Sequence, residues 1–280
     1  MYQGTVTIAE GGLPIMIRTN LLQPSEARKI VDQRGMYTLV EYEKDLSVRP
    51  EFAAEAYFAS QMNVRKRQVV ANLTGQTGVI LQAGAMQMMM GNIQAATNIK
   101  GAGDLMRKFV GSKVTGESAV KPRYIGYGLL VLEPTYRYII FEDLANWNGN
   151  MVIEDGMFLA CDDTIDLRVV ARTNLSSAVL GNEGWFNSCL SGHGIAVLES
   201  PVPADELIVV DVENDTLRID GSMAIAWSNT LEFTVERTTA TLIGSAASGE
   251  GLVNVYRGNG RVLVAPVANN WNIPLPKPGK

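Results

Sequence analysis

The sequence predicts an all-β protein in which three pseudo-repeats, each of about 66 residues and so in the size range of repeat architectures, form a closed, sandwich- or barrel-like body beside a small N-terminal helical region. Three observations predict it. A Gly-x-Gly step followed by an aliphatic run occurs at Gly126 to Pro134, Gly192 to Ser200 and Gly258 to Pro266, so the leading glycines are evenly spaced along the chain. A second stretch repeats at the same period, with Ile153-Glu154-Asp155-Gly156-Met157 set against Ile219-Asp220-Gly221-Ser222-Met223. Repetition at a fixed period marks a body assembled from like units. In Thr230 to Glu236, apolar and polar residues alternate, which places Leu231, Phe233 and Val235 on one face of a strand.

Residues 1–66 differ in composition and read as an accessory region packed on or beside the β body. Pro24 to Gly35 reads as a short helix with Ser25 as N-cap and Gly35 as the stop, and Pro50 to Met62 as a second, alanine-rich one presenting Phe52, Ala56 and Ala59. The three-repeat domain follows at 67–268. Its first copy is the least regular: Thr74-Gly75, Val79 to Leu81 and Gly84-Ala85-Met86 resemble the later turn, strand and Gly-x-Met step, with the spacing slipped by a little. That segment supplies the half-unit missing after Ala265, so the first and last segments are expected to pair and close the body, which removes exposed sheet edges.

Each Gly-x-Gly strand is announced by a Gly/Glu turn shortly before it, at Gly116-Glu117, Glu183-Gly184 and Gly249-Glu250-Gly251. Asn148-Gly149 and Asn214-Asp215 occupy matching positions and have hairpin-turn chemistry. Gly101 to Gly111 interrupts the copies as a basic amphipathic insertion whose Leu105, Met106, Arg107, Lys108 and Phe109 form the candidate interaction segment, set against the plainer reading that it caps its own barrel end. Residues 269–280 form a proline-rich tail suited to the surface.

The chain has 280 residues, of which 46% are hydrophobic and 19% charged. No apolar run of about 18 residues is present to span a bilayer, and the start lacks the basic and apolar regions of a secretory signal, so a cytoplasmic location is expected. Cys161 and Cys189 are the only cysteines and are expected to be buried free thiols. A net charge of -5 disfavours nucleic acid as a partner.

These residues resemble the altered-inheritance-of-mitochondria 24 family, found in bacteria and mitochondria. The resemblance runs over residues 67–266 and rests on Gly249 to Ala265, Val209-Val210-Asp211, the Gly-x-Met steps, and Arg107 to Gly111 ahead of Glu117. It implies a β-sandwich similar to the tryptophan RNA-binding attenuator protein, no established enzymatic activity, and in mitochondria a role in inner-membrane organisation.

Catalytic chemistry is not expected. His193, the only histidine, occupies the turn slot that Tyr127 and Asn259 hold in the other copies, so it reads as turn filler. A single imidazole cannot build a histidine-rich metal site, and neither Ser191 nor Cys189 sits in a nucleophile motif with it. Asp155, Asp162, Asp163 and Asp166 read as solvated turns, because their counterparts are Gly221, Ser228, Asn229 and Glu232. Gly101-Ala102-Gly103 lacks the context of a phosphate loop. Met86 and Met88 are expected to share a face and pack inside, and Arg65-Lys66-Arg67 to be solvated. No cofactor and no metal are expected. The favoured function is a non-catalytic binding or scaffold protein whose partner is another protein or a peripheral membrane surface, with a homo-oligomer expected to suit a pseudo-three-fold body. An RNA- or small-ligand-binding module is the alternative.

Overall fold

The structure, a computed structural model, describes residues 17–96, 121–171, 186–221, 223–237 and 252–267. The Gly/Glu turns, the insertion at 101–111 with Leu105 to Phe109, and the proline-rich tail lie outside the described residues. The chain is mostly strand. In order come β1 (Arg28–Arg34), β2 (Tyr37–Tyr42), a 3-10 turn (Pro50–Phe52), helix α1 (Ala53–Gln61), β3 (Arg67–Thr74), β4 (Val79–Leu81), β5 (Met86–Ala96) and β6 (Arg123–Leu132). Then follow β7 (Tyr138–Asp143), β8 (Asn150–Ile153), β9 (Phe158–Asp162), β10 (Ile165–Ala171), β11 (Phe186–Gly192) and β12 (Ile195–Ser200). The last are β13 (Ile208–Asp220), β14 (Ala224–Ser228), β15 (Glu232–Arg237) and β16 (Leu252–Val264).

The strands make two antiparallel sheets. One runs β1-β2-β3-β6-β4-β9-β12-β7 with β5 added on β6, and the other runs β10-β11-β8-β14-β16-β13 with β15 added on β16. The chain crosses from one sheet to the other between β11 and β12, at Gly192-His193-Gly194, and the result is a nearly closed, barrel-like body. Its core is packed by Trp147, Met151, Ile153, Phe158 and Leu198 near the middle of the chain. Farther along, Trp227 stacks on Phe233 at 5.5 Å and meets Tyr256 edge-on at 5.4 Å.

The strand registers carry the period seen in the glycines. Ser188 pairs with Ile153 and Asn254 with Ile219, Val197 with Ala160 and Leu263 with Ala226, Asp166 with Ser191 and Glu232 with Arg257. In each couple, both partners of the second pair lie one period after those of the first, the same step that separates Gly192 from Gly258. The first unit pairs its strands in the same order, but with β5 as one continuous strand where the second unit has β9 and β10. Its upstream half is also set farther back: Val79 pairs with Asp162 as Met151 pairs with Ser228, and the step from 79 to 151 is longer than the step from 162 to 228.

The same comparison explains the Gly-x-Gly step. Gly126, Gly192 and Gly258 have φ of +129°, +131° and +112°. Each faces a backbone carbonyl at the matching place: a Cβ would stand 2.1 Å from Asn92 O, 2.5 Å from Thr164 O and 3.8 Å from Thr230 O. Side chains repeat too. Asp162 accepts from Ile195 N–H as Ser228 Oγ accepts from Arg261 N–H, both at 2.9 Å, and the hydroxyls of Thr164 and Thr230 donate to the carbonyls of His193 and Asn259.

Three sequence expectations need correction. The helix expected over residues 24–35 is strand β1: Arg34 pairs with Tyr37, so Gly35, with φ +53°, is a hairpin turn residue and not a helix stop. Helix propensity is a weak prior, and pairing with β2, which buries Tyr37, Leu39 and Val40, overrides it. Accordingly, β1 and β2 join the first sheet directly through β3 rather than packing beside it. The second expected helix is present as the 3-10 turn and α1. Closure by pairing of the first repeat segment, residues 67–100, with the last does not occur among the described residues, where β3, β4 and β5 pair with β2, β6 and β9, and β16 pairs with β13, β14 and β15.

Candidate interaction surface

Between β2 and β3 the chain leaves the sheet and forms α1. Four alanines favour a helix there, Pro50 leads in from the 3-10 turn, and Glu55 sits in the first turn of α1, where the positive end of the helix dipole favours an acid. The helix ends in a left-handed cap. Asn63 has φ +62°, its N–H donates to Ser60 O at 3.3 Å, and Val64 N–H donates to Ala59 O at 3.0 Å. Its nine residues are too few to hold a helix in water by propensity alone.

What holds it is a network of charges. Arg65 Nε donates to Ser60 O at 3.1 Å, and one Arg67 nitrogen donates to both Asn63 O and Asn63 Oδ1 at 2.9 Å. Both guanidiniums also reach Glu41 on β2 at 2.9 Å, while the Arg67 guanidinium lies 4.2 Å from the ring centre of Tyr138. The side chains of Glu41 and Arg67 are only 7% and 4% exposed, so these charges depend on one another: burying either alone would be costly. On the entry side, Lys66 Nζ stands 2.7 Å from Asp45, which also accepts from Tyr136. Hydrogen bonds from Lys66 and then Tyr136 hold the Asp45 carboxyl well below the usual range. Partial burial and the bond to Asp45 push the Tyr136 hydroxyl up to about 12.

Despite this support the helix buries only Ser60. Tyr57, Phe58 and Met62 are 59%, 67% and 76% exposed, and Leu46 and Phe52 stand exposed on the approach to it. Tyr57 and Phe58 meet edge-on at 5.4 Å. Three of the cations nearby are matched by acids: Arg49 with Glu51, Arg65 with Glu41 and Glu43, Lys66 with Asp45.

The sequence-level candidates fall elsewhere. Arg65-Lys66-Arg67, expected to be solvated, is instead the anchor of the helix, because Glu41 supplies a countercharge from the neighbouring strand β2, on the far side of the α1 excursion. Met86 packs against the core but Met88 is 40% exposed, since a register shift between them breaks the alternation. Asp162 is half-buried rather than solvated, and burial raises its carboxyl above the usual range. Asp163 pairs with Arg123, and Asp166 with Arg168 at 2.6 Å. His193 is exposed in its turn, and Ser191 donates to Asn150 Oδ1 at 2.9 Å. Both cysteines are buried free thiols. Among the described residues no three of His, Cys, Asp and Glu cluster as metal ligands, and no helix is long and apolar enough to cross a membrane.

The family described as mitochondrial biogenesis AIM24 matches residues 60–267. The chain belongs to the AIM24 family. An uncharacterised protein of Streptococcus pyogenes serotype M6 is 28% identical over 194 residues, covering 66% of this chain and 75% of the relative. An X-ray structure of a Streptococcus pyogenes protein aligns with TM-score 0.55 and 22% identity over 86% of this chain and 94% of that one, which shows a shared fold. The AIM24 match begins at Ser60, so nearly all of α1 and both strands before it precede the family's common part.

Proposed function

We propose that this AIM24 protein is a non-catalytic binding protein that docks α1 into an apolar groove of a protein partner. The observation that carries the reading is a short helix, pinned by a buried charge network, that holds Tyr57, Phe58 and Met62 in water while burying only Ser60. Sequestering each such side chain is worth roughly 1.5–3 kcal/mol before the cost of association, enough for three of them to anchor a complex. The pairing of neighbouring cations with acids leaves little attraction for an anionic bilayer, which favours protein over membrane.

A photo-crosslinking amino acid placed at Phe58, in protein expressed in its native host, tests this. A discrete protein adduct absent when the same group is placed at exposed Asp220 is expected. Adducts to lipid, or yields no higher than at Asp220, would overturn the reading.

A further inference from the structure

Met62 closes α1, where its backbone N–H donates to Phe58 O at 3.3 Å and to Ala59 O at 3.0 Å. At 76% exposed it is the most open large apolar side chain among the described residues, and it stands one helical turn after Phe58, so the two are neighbours on the helix surface. Elsewhere the methionines are better covered. Met151 and Met157 are buried, Met86 and Met90 pack on the core, and Met88 and Met89 of β5 are 40% and 41% exposed.

A thioether differs from other apolar groups in that mild oxidants convert it, reversibly, into a polar one. With a peroxide, a sulfur lone pair attacks one oxygen: the S–O bond forms, the O–O bond breaks, and the other oxygen leaves as water. Sulfur loses two electrons and the peroxide gains them. Inside a core, the product disrupts packing. Met62 carries no such load: α1 buries only Ser60, and the helix is fixed by Glu41, Arg65 and Arg67 together with backbone bonds that involve no sulfur. Oxidation there changes the surface and spares the fold.

We propose that Met62 is a site of reversible oxidation by peroxides, and that its sulfoxide releases the protein partner docked on α1. This rests on the docking reading above and adds its regulation. The sulfoxide oxygen is a hydrogen-bond acceptor, so burying it unpaired in an apolar groove should weaken the complex at least about fivefold. A methionine sulfoxide reductase reverses the change: a dithiol gives up two electrons to become a disulfide, the oxygen leaves as water, and the thioether is restored.

The test uses the full chain with the photo-crosslinking amino acid at Phe58, treated with hydrogen peroxide, freed of it, and then mixed with untreated extract of the native host. Peptide mass spectrometry should show Met62 oxidised ahead of Met88 and Met89, with the circular dichroism spectrum unchanged. Adduct yield should fall at least about fivefold, recover after reductase treatment, and hold steady through peroxide in Met62→Leu, which keeps an apolar side chain of similar volume. Oxidation of Met62 no faster than of Met88 and Met89, a full yield once Met62 is converted, an equal fall in Met62→Leu, or loss of helical signal would each overturn the proposal. The two readings separate cleanly: no adduct before peroxide removes the docking reading and this one with it, whereas an adduct that survives oxidation removes the redox site alone.

Discussion

If the Gly-x-Gly steps exist to let two backbones approach, then alanine substitutions should hurt in the order of the space available rather than of exposure. At Gly221, φ is +61° and no atom lies within 4 Å of an added Cβ, so Gly221→Ala costs only left-handed strain, about 1 kcal/mol. At Gly258, φ is +112° and the nearest atom, Thr230 O, would be 3.8 Å away, so strain again dominates, at about 1–3 kcal/mol. At Gly126 and Gly192 the Cβ would stand 2.1 and 2.5 Å from a carbonyl oxygen that belongs to the facing backbone. Backbone cannot swing away as a side-chain tip does. The two backbones must part by about an ångström, adding the loss of one or two ladder hydrogen bonds at about 1 kcal/mol each to the strain, for about 3–5 kcal/mol in all. In urea, with a slope of about 3 kcal/mol/M, the midpoint should fall by about 1–1.7 M for Gly126→Ala and about 0.3 M for Gly221→Ala. Equal shifts for the two would refute the close-approach account, and a larger shift at Gly258 than at Gly126 would refute the ranking.

Other outcomes follow from the same structure. Arg67→Met strips Glu41 of its most buried partner and should cost about 3–5 kcal/mol, with faster amide exchange at Asn63 and Val64; a loss below about 1 kcal/mol would mean the network does not hold the helix. Tyr57→Ser with Phe58→Ser should leave stability within about 0.5 kcal/mol of the parent, checked by denaturation, while abolishing the adduct from a crosslinker placed at Met62. Because burial raises the Asp162 carboxyl, its contribution is fully present below the unfolded value of about 4 and is lost as pH rises through the folded one. Asp162→Asn should therefore gain on the parent as pH rises above that unfolded value, and a pH-independent difference would contradict this. Burial likewise holds the Cys161 thiol in its protonated form, so Ellman's reagent should label neither cysteine until denaturant is added; rapid labelling of the folded protein would contradict the packing around Cys161.

The strands and the period were legible because glycine at a close approach is dictated locally, and apolar alternation dictates a face. What the sequence left open depends on partners distant in the chain. Pro24 to Gly35 carries a cap and a stop that fit a helix, yet the same Gly35 suits a hairpin, and only β2 decides between them. Arg65, Lys66 and Arg67 look like a solvated run until Glu41, on another strand, provides the countercharge. Met88 obeys the alternation of β5 on paper, and the register shift after Met86 turns it outward. Tyr57 and Phe58 were hidden for the opposite reason: apolar residues on a helix are expected to pack, and nothing in their spacing says that the body offers them no seat.

Matching positions in the units provide an internal control for reading function. Where the units agree, as in the carbonyls of Asn92, Thr164 and Thr230 that face the three leading glycines, the residues are explained by the demands of the fold. The middle residue of the step is not held to one type, since His193, Tyr127 and Asn259 occupy the same slot. Where a unit departs from its fellows, the fold alone gives no reason for the departure. α1 is inserted ahead of a single unit, and β5 keeps a long uncharged edge where the corresponding β9 is paired on both sides. The α1 departure leaves Tyr57, Phe58 and Met62 in water, so the surface on which contact with a partner is proposed is one that the repeat does not require.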